Sequence, residues 1–309
     1  MFGFRKGVSA QDVLLMLKDE VLGPPPGSLD RILLALDVQK AFDTISHSTI
    51  LEGLEDIGCG ERTFHYIQDF LRDRTAIIAL GASRSLPYEL PGRGTPQGAI
   101  LSPLLFNIGM RKLALQLQED EDLGVAIYAD DITLWATKGS YGDRQNTLQQ
   151  AIHMVESYTK HDGIKCAPNK SEYIHIRPPR TQTNRAPPLQ LLLDGEPIRK
   201  VQHLRVLGMH IVQEKSSAGI TLPKLKRTVR SITSRITYAL LFQAILRDDI
   251  DRANRLIRIS CKEALGLPEN TSTDRLSDLG MTNTYEELAA ATLMASAKDS
   301  TQHPRGAPC

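Results

Sequence analysis

The segment Ala126-Ile127-Tyr128-Ala129-Asp130-Asp131-Ile132-Thr133-Leu134-Trp135 constrains this chain more than any other. Two adjacent carboxylates sit between two short apolar runs, the pattern of a β-hairpin whose turn carries both aspartates. Like charges side by side repel, and holding them together in a partly desolvated place requires a positive partner. A divalent metal is the usual solution, although an isolated Asp-Asp pair also suits a plain solvated turn.

A second stretch of the same character favours the metal. Arg31-Ile32-Leu33-Leu34-Ala35-Leu36-Asp37-Val38 is a nearly continuous apolar run that delivers an acid at its end, as a buried strand does. Two such strands presenting aspartates at one sheet edge can hold a pair of Mg²⁺ ions that clamp the attacking and leaving oxygens of a phosphoryl transfer.

Between the two acidic stretches lies Arg93-Gly94-Thr95-Pro96-Gln97-Gly98-Ala99-Ile100-Leu101-Ser102-Pro103-Leu104-Leu105-Phe106. Its glycines let the backbone approach a ligand, Gln97 offers an amide that both donates and accepts, and Ser102-Pro103 reads as the cap and first position of a helix with Leu104, Leu105, Ile108, Leu113 and Leu117 on its buried face. In this order, Leu36-Asp37-Val38-Gln39-Lys40-Ala41-Phe42-Asp43, the Pro-Gln-Gly and Leu-Ser-Pro box, and Tyr128-Ala129-Asp130-Asp131 resemble the polymerase boxes of reverse transcriptases of the non-LTR, LINE-type retrotransposons. The resemblance covers roughly residues 3 to 240.

That resemblance implies an α+β fold: a polymerase palm, an antiparallel sheet backed by helices, with a partial fingers region and a helical thumb. Residues 1–30 are expected to form an N-terminal helix and loop at the fingers–palm junction, 31–215 the palm with an inserted fingers-like hairpin, 216–265 a basic helical thumb, and 266–309 a helical or disordered tail. It implies RNA-directed DNA polymerisation on an RNA template from a DNA primer and deoxynucleoside triphosphates. Asp37, Asp130, Asp131 and the backbone carbonyl of Val38 are expected to hold two Mg²⁺, with Mn²⁺ as a substitute. Phe42 is expected under the sugar, where it excludes a 2′-hydroxyl, or else as a core aromatic. Gln97 and Gly98 are expected to shape the nucleotide pocket, and Lys170, in Gly163 to Glu172, to neutralise the leaving pyrophosphate. Asp43 is expected as a structural partner of a backbone amide or an arginine. The competing expectation is a truncated transposon fragment that binds nucleic acid without polymerising, since no upstream fingers segment is seen.

Charge is distributed as such an enzyme needs. The chain of 309 residues has a net charge of +1, yet residues 177–262 carry 17 Lys and Arg against 6 Asp and Glu, a net charge of +11. Leu222, Leu225, Val229, Ile232 and Ile236 recur at helical spacing with Lys224, Lys226, Arg227, Arg230 and Arg235 on the other faces, as expected of a helix lying along phosphates. A solvated helix face has the same pattern. His203 to Ile211 resembles the family's primer-grip strand, interrupted by Arg205-Val206. Cys59, Cys166, Cys261 and Cys309 lack metal-ligand spacing and are expected as free thiols. With 41% hydrophobic residues, no long apolar run and no leader, the chain is expected to be intracellular, with no membrane and no protein partner.

Overall fold

The computed structural model describes residues 1–5, 7–22, 30–176, 189–212, 240–241, 245–264, 268, 270–278 and 284–302. The N-terminal helix α1 (Ala10–Leu17) opens with a capping box in which Ser9 and Asp12 satisfy each other's backbone amides, and it runs into one π-helical turn, Lys18–Leu22. Strand β1 (Arg31–Gln39) leads through Lys40, which is in the left-handed region, into the short α2 (Ala41–Thr44), then α3 (His47–Asp56) and α4 (Glu61–Leu71).

The inserted fingers-like hairpin is, over residues 75–89, four two-residue pieces. Thr75–Ala76 (β2) pairs with Tyr88–Glu89 (β5), and Ala79–Leu80 (β3) pairs with Ser83–Arg84 (β4). Ile77, Ile78, Leu80, Leu86 and Tyr88 are exposed, so no apolar face holds a longer ladder together.

The single helix expected after Ser102 is two, α5 (Ser102–Gly109) and α6 (Arg111–Leu117), separated at Met110. Ser102 does not cap α5: its buried hydroxyl donates to the Pro96 carbonyl at 2.5 Å, tying the loop down instead. Leu105, Ile108, Leu113 and Leu117 are buried as expected, whereas Leu104 is exposed.

The hairpin of β6 (Leu123–Tyr128) and β7 (Asp131–Ala136) precedes α7 (Tyr141–His161), another capping-box helix, with Ser140 and Asp143. The short strand β8 (Lys165–Cys166) and β9 (Glu172–Ile176) follow, then β10 (Leu192–Leu193), β11 (Glu196–Pro197), β12 (Arg199–Lys200), β13 (His203–Val206) and β14 (Met209–Val212). What reads as one strand over 203–211 is a hairpin turning at Leu207-Gly208, both at positive φ. Helices Arg247–Ala264, Thr273–Asp278 and Tyr285–Gln302 complete the described chain.

The central sheet has the order β12-β9-β1-β7-β6, with β8 also on β1. Its pairs are antiparallel except β12 with β9. The nearly unbroken apolar run of β1 is explained by burial on both faces. Ile32, Leu34, Leu36 and Val38 join Ile132 and Leu134 in a core covered by α3 to α7. Leu33 joins Ala126, Trp135 and Ile174 in a second core on the opposite face, closed by Val13, Leu14, Leu17 and Val21 and by Leu204, Val206, Met209 and Ile211 of the β13–β14 hairpin. Trp135 anchors this second core. Its Nε1 donates to Glu20 Oε2 at 2.8 Å, and the indole lies over Gly124, where a Cβ would be 2.0 Å from the ring.

No helix among the described residues is long and apolar enough to cross a membrane.

Candidate active site

Register places the acids. In the β1–β7 ladder Asp37 stands opposite Asp131, and in the β6–β7 ladder Tyr128 stands opposite Asp131, leaving Ala129-Asp130 as a two-residue loop. Ala129 has φ 55°, the sign required at the first position of a II′ turn and a position normally given to glycine. A left-handed alanine carries strain of roughly 1–2 kcal/mol, held here by the ladders on either side. Three carboxylates therefore converge on one sheet edge.

The electrostatics of that edge are unfavourable to the acids alone. Burial, then the neighbouring Asp130 and Asp37, push the Asp131 carboxyl above the usual carboxylate range, and Arg205 from β13 draws it partly back. Lys170 Nζ lies 3.5 Å from Asp37 Oδ2, with both side chains partly open to solvent. The backbone of Asp37 is fixed on its other side: its N–H donates to the buried Ser171 hydroxyl at 3.2 Å and its carbonyl accepts from Ala167 N–H at 2.9 Å. By the alternation of a strand, the Val38 carbonyl is then turned towards the β7 side, beyond the point where β7 begins at Asp131.

Carboxylates and a backbone carbonyl are the hard oxygen donors that a divalent cation prefers, and mutual repulsion among Asp37, Asp130 and Asp131 is what a cation would relieve. Among the described residues no three or more His, Cys, Asp or Glu side chains close into a complete ligand set. A Mg²⁺ that keeps several waters and takes substrate oxygens needs only one or two carboxylates, so the donors fit such an ion.

The second half of the site is the loop before α5. Gly94 N–H donates to Ile45 O and Thr95 N–H to Phe42 O, both at 2.7 Å, while His47 Nε2 meets Gly94 O at 2.9 Å. Gly94 has φ 78°, and a Cβ there would stand 2.6 Å from the Asp43 carbonyl oxygen, so the loop lies directly on α2. Gly98 has φ 88° with open space around it, and its requirement is conformational. Gln97 Nε2 donates to Asp43 Oδ1 at 2.8 Å. The partner of Asp43 is thus the Gln97 side chain, where a backbone amide or an arginine was expected; the two residues are 54 positions apart and only the folded loop joins them. Phe42 stacks on Phe106, centroids 4.3 Å apart.

Asp37, Val38, Asp130, Asp131 and Lys170 are thus brought to one edge, while Phe42 lies on α2 and Gln97 and Gly98 lie in the loop that packs against α2. Lys224, Lys226, Arg227, Arg230 and Arg235 lie outside the described residues. Arg252, Arg255 and Arg258 are exposed on helix Arg247–Ala264, whose Ala253, Leu256 and Ile257 are buried. Ser171 and His47, which carry no signal in the sequence, also hold the backbone of the site, and Arg205, which reads there only as a departure from a strand pattern, acts on Asp131. Arg93 turns away from the site, where its guanidinium donates to the Asp162 carbonyl at the end of α7.

The family model described as reverse transcriptase (RNA-dependent DNA polymerase) matches residues 1–211. The chain belongs to the reverse transcriptase family. It is 27% identical over 273 residues to a retrovirus-related Pol polyprotein from type-1 retrotransposable element R2 of Popillia japonica, covering 77% of this chain and 37% of that protein. It is 24% identical to the probable RNA-directed DNA polymerase from transposon BS of Drosophila melanogaster, covering 76% of this chain and 25% of that protein. This reverse transcriptase chain therefore spans about a third or less of the length of these two relatives. Telomerase from Candida tropicalis, solved with a fragment of telomeric RNA, superposes with a TM-score of 0.51 at 10% identity over 99% of this chain and 51% of that one. At that identity the likeness is one of fold, and the mixed helices and sheets accord with the α+β fold of a polymerase palm.

Proposed function

We propose that this chain is an RNA-directed DNA polymerase of retrotransposon type, extending the 3′-hydroxyl of a DNA primer on an RNA template with deoxynucleoside triphosphates. The observation that carries the reading is the register that sets Asp37 opposite Asp131 with Asp130 in the adjoining turn. Asp37, Asp130 and the Val38 carbonyl would hold two Mg²⁺, or Mn²⁺ in their place, with Asp131 as a further ligand or as the neighbour that tunes the pair. Divalent cations bound there supply Lewis-acid activation of the hydroxyl and stabilise charge on the phosphoryl oxygens.

The chain's own groups do the rest. The primer 3′-oxygen bonds to the α-phosphorus as the bond from that phosphorus to the bridging oxygen breaks, the hydroxyl proton is released, and pyrophosphate leaves. Lys170, whose Nζ lies 3.5 Å from Asp37 Oδ2, would neutralise that departing charge or protonate it. Gln97 and Gly98 form the pocket floor, held by the Gln97–Asp43 bond. Phe42, whose ring stacks on Phe106, would exclude a 2′-hydroxyl. The basic block 177–262, with Lys224, Lys226, Arg227, Arg230 and Arg235, tracks the template–primer phosphates. An intracellular setting, nuclear or cytoplasmic, is part of the same proposal.

Mg²⁺-dependent extension of a DNA primer on an RNA template by the purified chain, lost in Asp130→Asn, tests the reading. Absence of extension with salt-sensitive binding to primer–template retained would replace it by the nucleic-acid-binding fragment.

A further inference from the structure

Three features meet at Phe4. First, its backbone is in the left-handed region, φ 56°, which a bulky residue adopts only under constraint. Second, the segment that carries it is pinned to the acidic hairpin and to α5. Phe2 N–H donates to Ile127 O at 2.8 Å, Asn107 Nδ2 donates to Gly3 O at 2.7 Å, and a Cβ on Gly3 would stand 2.9 Å from Ala129 N. Third, the ring, although 54% exposed, is not idle: it stands edge-on to Phe42, centroids 6.3 Å apart at 86°, and tilted against Tyr128 at the same separation. Tyr128 is itself the cross-strand partner of Asp131.

A glycine at position 4 would meet the backbone requirement without strain, so the conformation alone gives no reason for a phenylalanine. The ring's contacts do. Phe106 supports one side of Phe42, and Phe4 contacts it edge-on, bridging the β1–α2 element to the β6–β7 turn.

We propose that Phe4 is a positioning residue for sugar selection: its ring fixes the Phe42 ring relative to the carboxylate edge, so that a 2′-hydroxyl meets Phe42 at full contact. The inference rests on the polymerase reading above and extends it to a residue that lies 38 positions before Phe42. Phe4 touches no reacting atom and acts through Phe42.

The test is primer extension by the whole chain with deoxynucleoside and with ribonucleoside triphosphates, reading the ratio of the two kcat/KM values. Phe4→Gly removes the ring while relieving the left-handed strain, so folding is not the variable. It is expected to lower the deoxy-over-ribo ratio by about three- to tenfold, the size of one aromatic edge contact at roughly 1.4 kcal/mol per tenfold, through the KM for the ribonucleotide and with the deoxynucleotide kcat little changed. Phe4→Tyr is expected to restore the ratio. Phe42→Val is expected to abolish the preference, and adding Phe4→Gly to it should change nothing further, because the two act as one unit. A Phe4→Gly chain with an unchanged ratio, or with both nucleotides slowed equally, overturns the inference while leaving the polymerase reading intact. A wild-type chain that extends with neither nucleotide overturns the polymerase reading itself, and this inference with it.

Discussion

Replacing Gly94 by alanine tests whether the loop before α5 is held by close backbone contact or only by turn geometry. Gly94 and Gly98 both have positive φ, 78° and 88°, so alanine at either is left-handed at a cost of roughly 1–2 kcal/mol, offset by about 0.4–1 kcal/mol from a less flexible unfolded chain. At Gly98 the added methyl meets open space, and a net loss of roughly 1 kcal/mol is expected. At Gly94 the methyl would also stand 2.6, 2.9 and 3.0 Å from the O, C and Cα of Asp43, backbone atoms that cannot rotate away. Forcing them apart adds overpacking of about 1–3 kcal/mol, for a total of roughly 2–4 kcal/mol. Because Gly94 and Thr95 bond to Ile45 and Phe42, and Gln97 to Asp43, the same displacement moves the proposed nucleotide pocket. Urea unfolding of Gly94→Ala, Gly98→Ala and wild type, with the KM for deoxynucleotide beside it, supplies the measurement. A Gly94→Ala chain no less stable than Gly98→Ala would show that the Asp43 backbone does not hold the loop by close contact, since the two sites differ only in that steric demand.

Three further outcomes are expected. Trp135→Phe should lose roughly 2–4 kcal/mol by denaturant melt, from the vacated space over Gly124 and the lost bond to Glu20, whereas Glu20→Gln, which keeps an acceptor, should lose less than about 1 kcal/mol. Lys170→Ala should leave stability within about 1 kcal/mol, because its pair with Asp37 is solvent-screened, while primer extension slows at least about tenfold; equal rates would remove Lys170 from the site. Burial pushes the Cys166 thiol up to about 11, so alkylation followed by mass spectrometry at pH 8 should label the half-buried Cys59 and Cys261 and spare Cys166. Since the folded value lies above the unfolded one, the stability Cys166 contributes as a neutral thiol is present below pH about 8.5 and is lost as pH rises through about 11.

The sequence by itself determined the reverse transcriptase family and most local structure. An apolar run ending in Asp37 belongs to a strand buried on both faces, and Asp130-Asp131 between two apolar runs makes a hairpin turn; both follow from short apolar runs bounded by polar residues, a pattern that needs no distant partner. Ser140 and Asp143 likewise start α7 from within four residues. What the sequence could not contain is which elements face one another. A slip of one residue in the β1–β7 register would carry Asp37 away from Asp131 and turn one strand's side chains to the opposite face, and only the packing of two cores against the sheet forbids it. The same tertiary packing decided that Ser102 ties down Pro96 rather than capping its helix, that Leu104 is exposed although it follows the helical period, and that Gln97 and not an arginine satisfies Asp43. Phe4 and Phe42, 38 residues apart, meet for that reason as well: local periodicity fixes which way a side chain points from its own element, and burial across the whole chain fixes what it finds there.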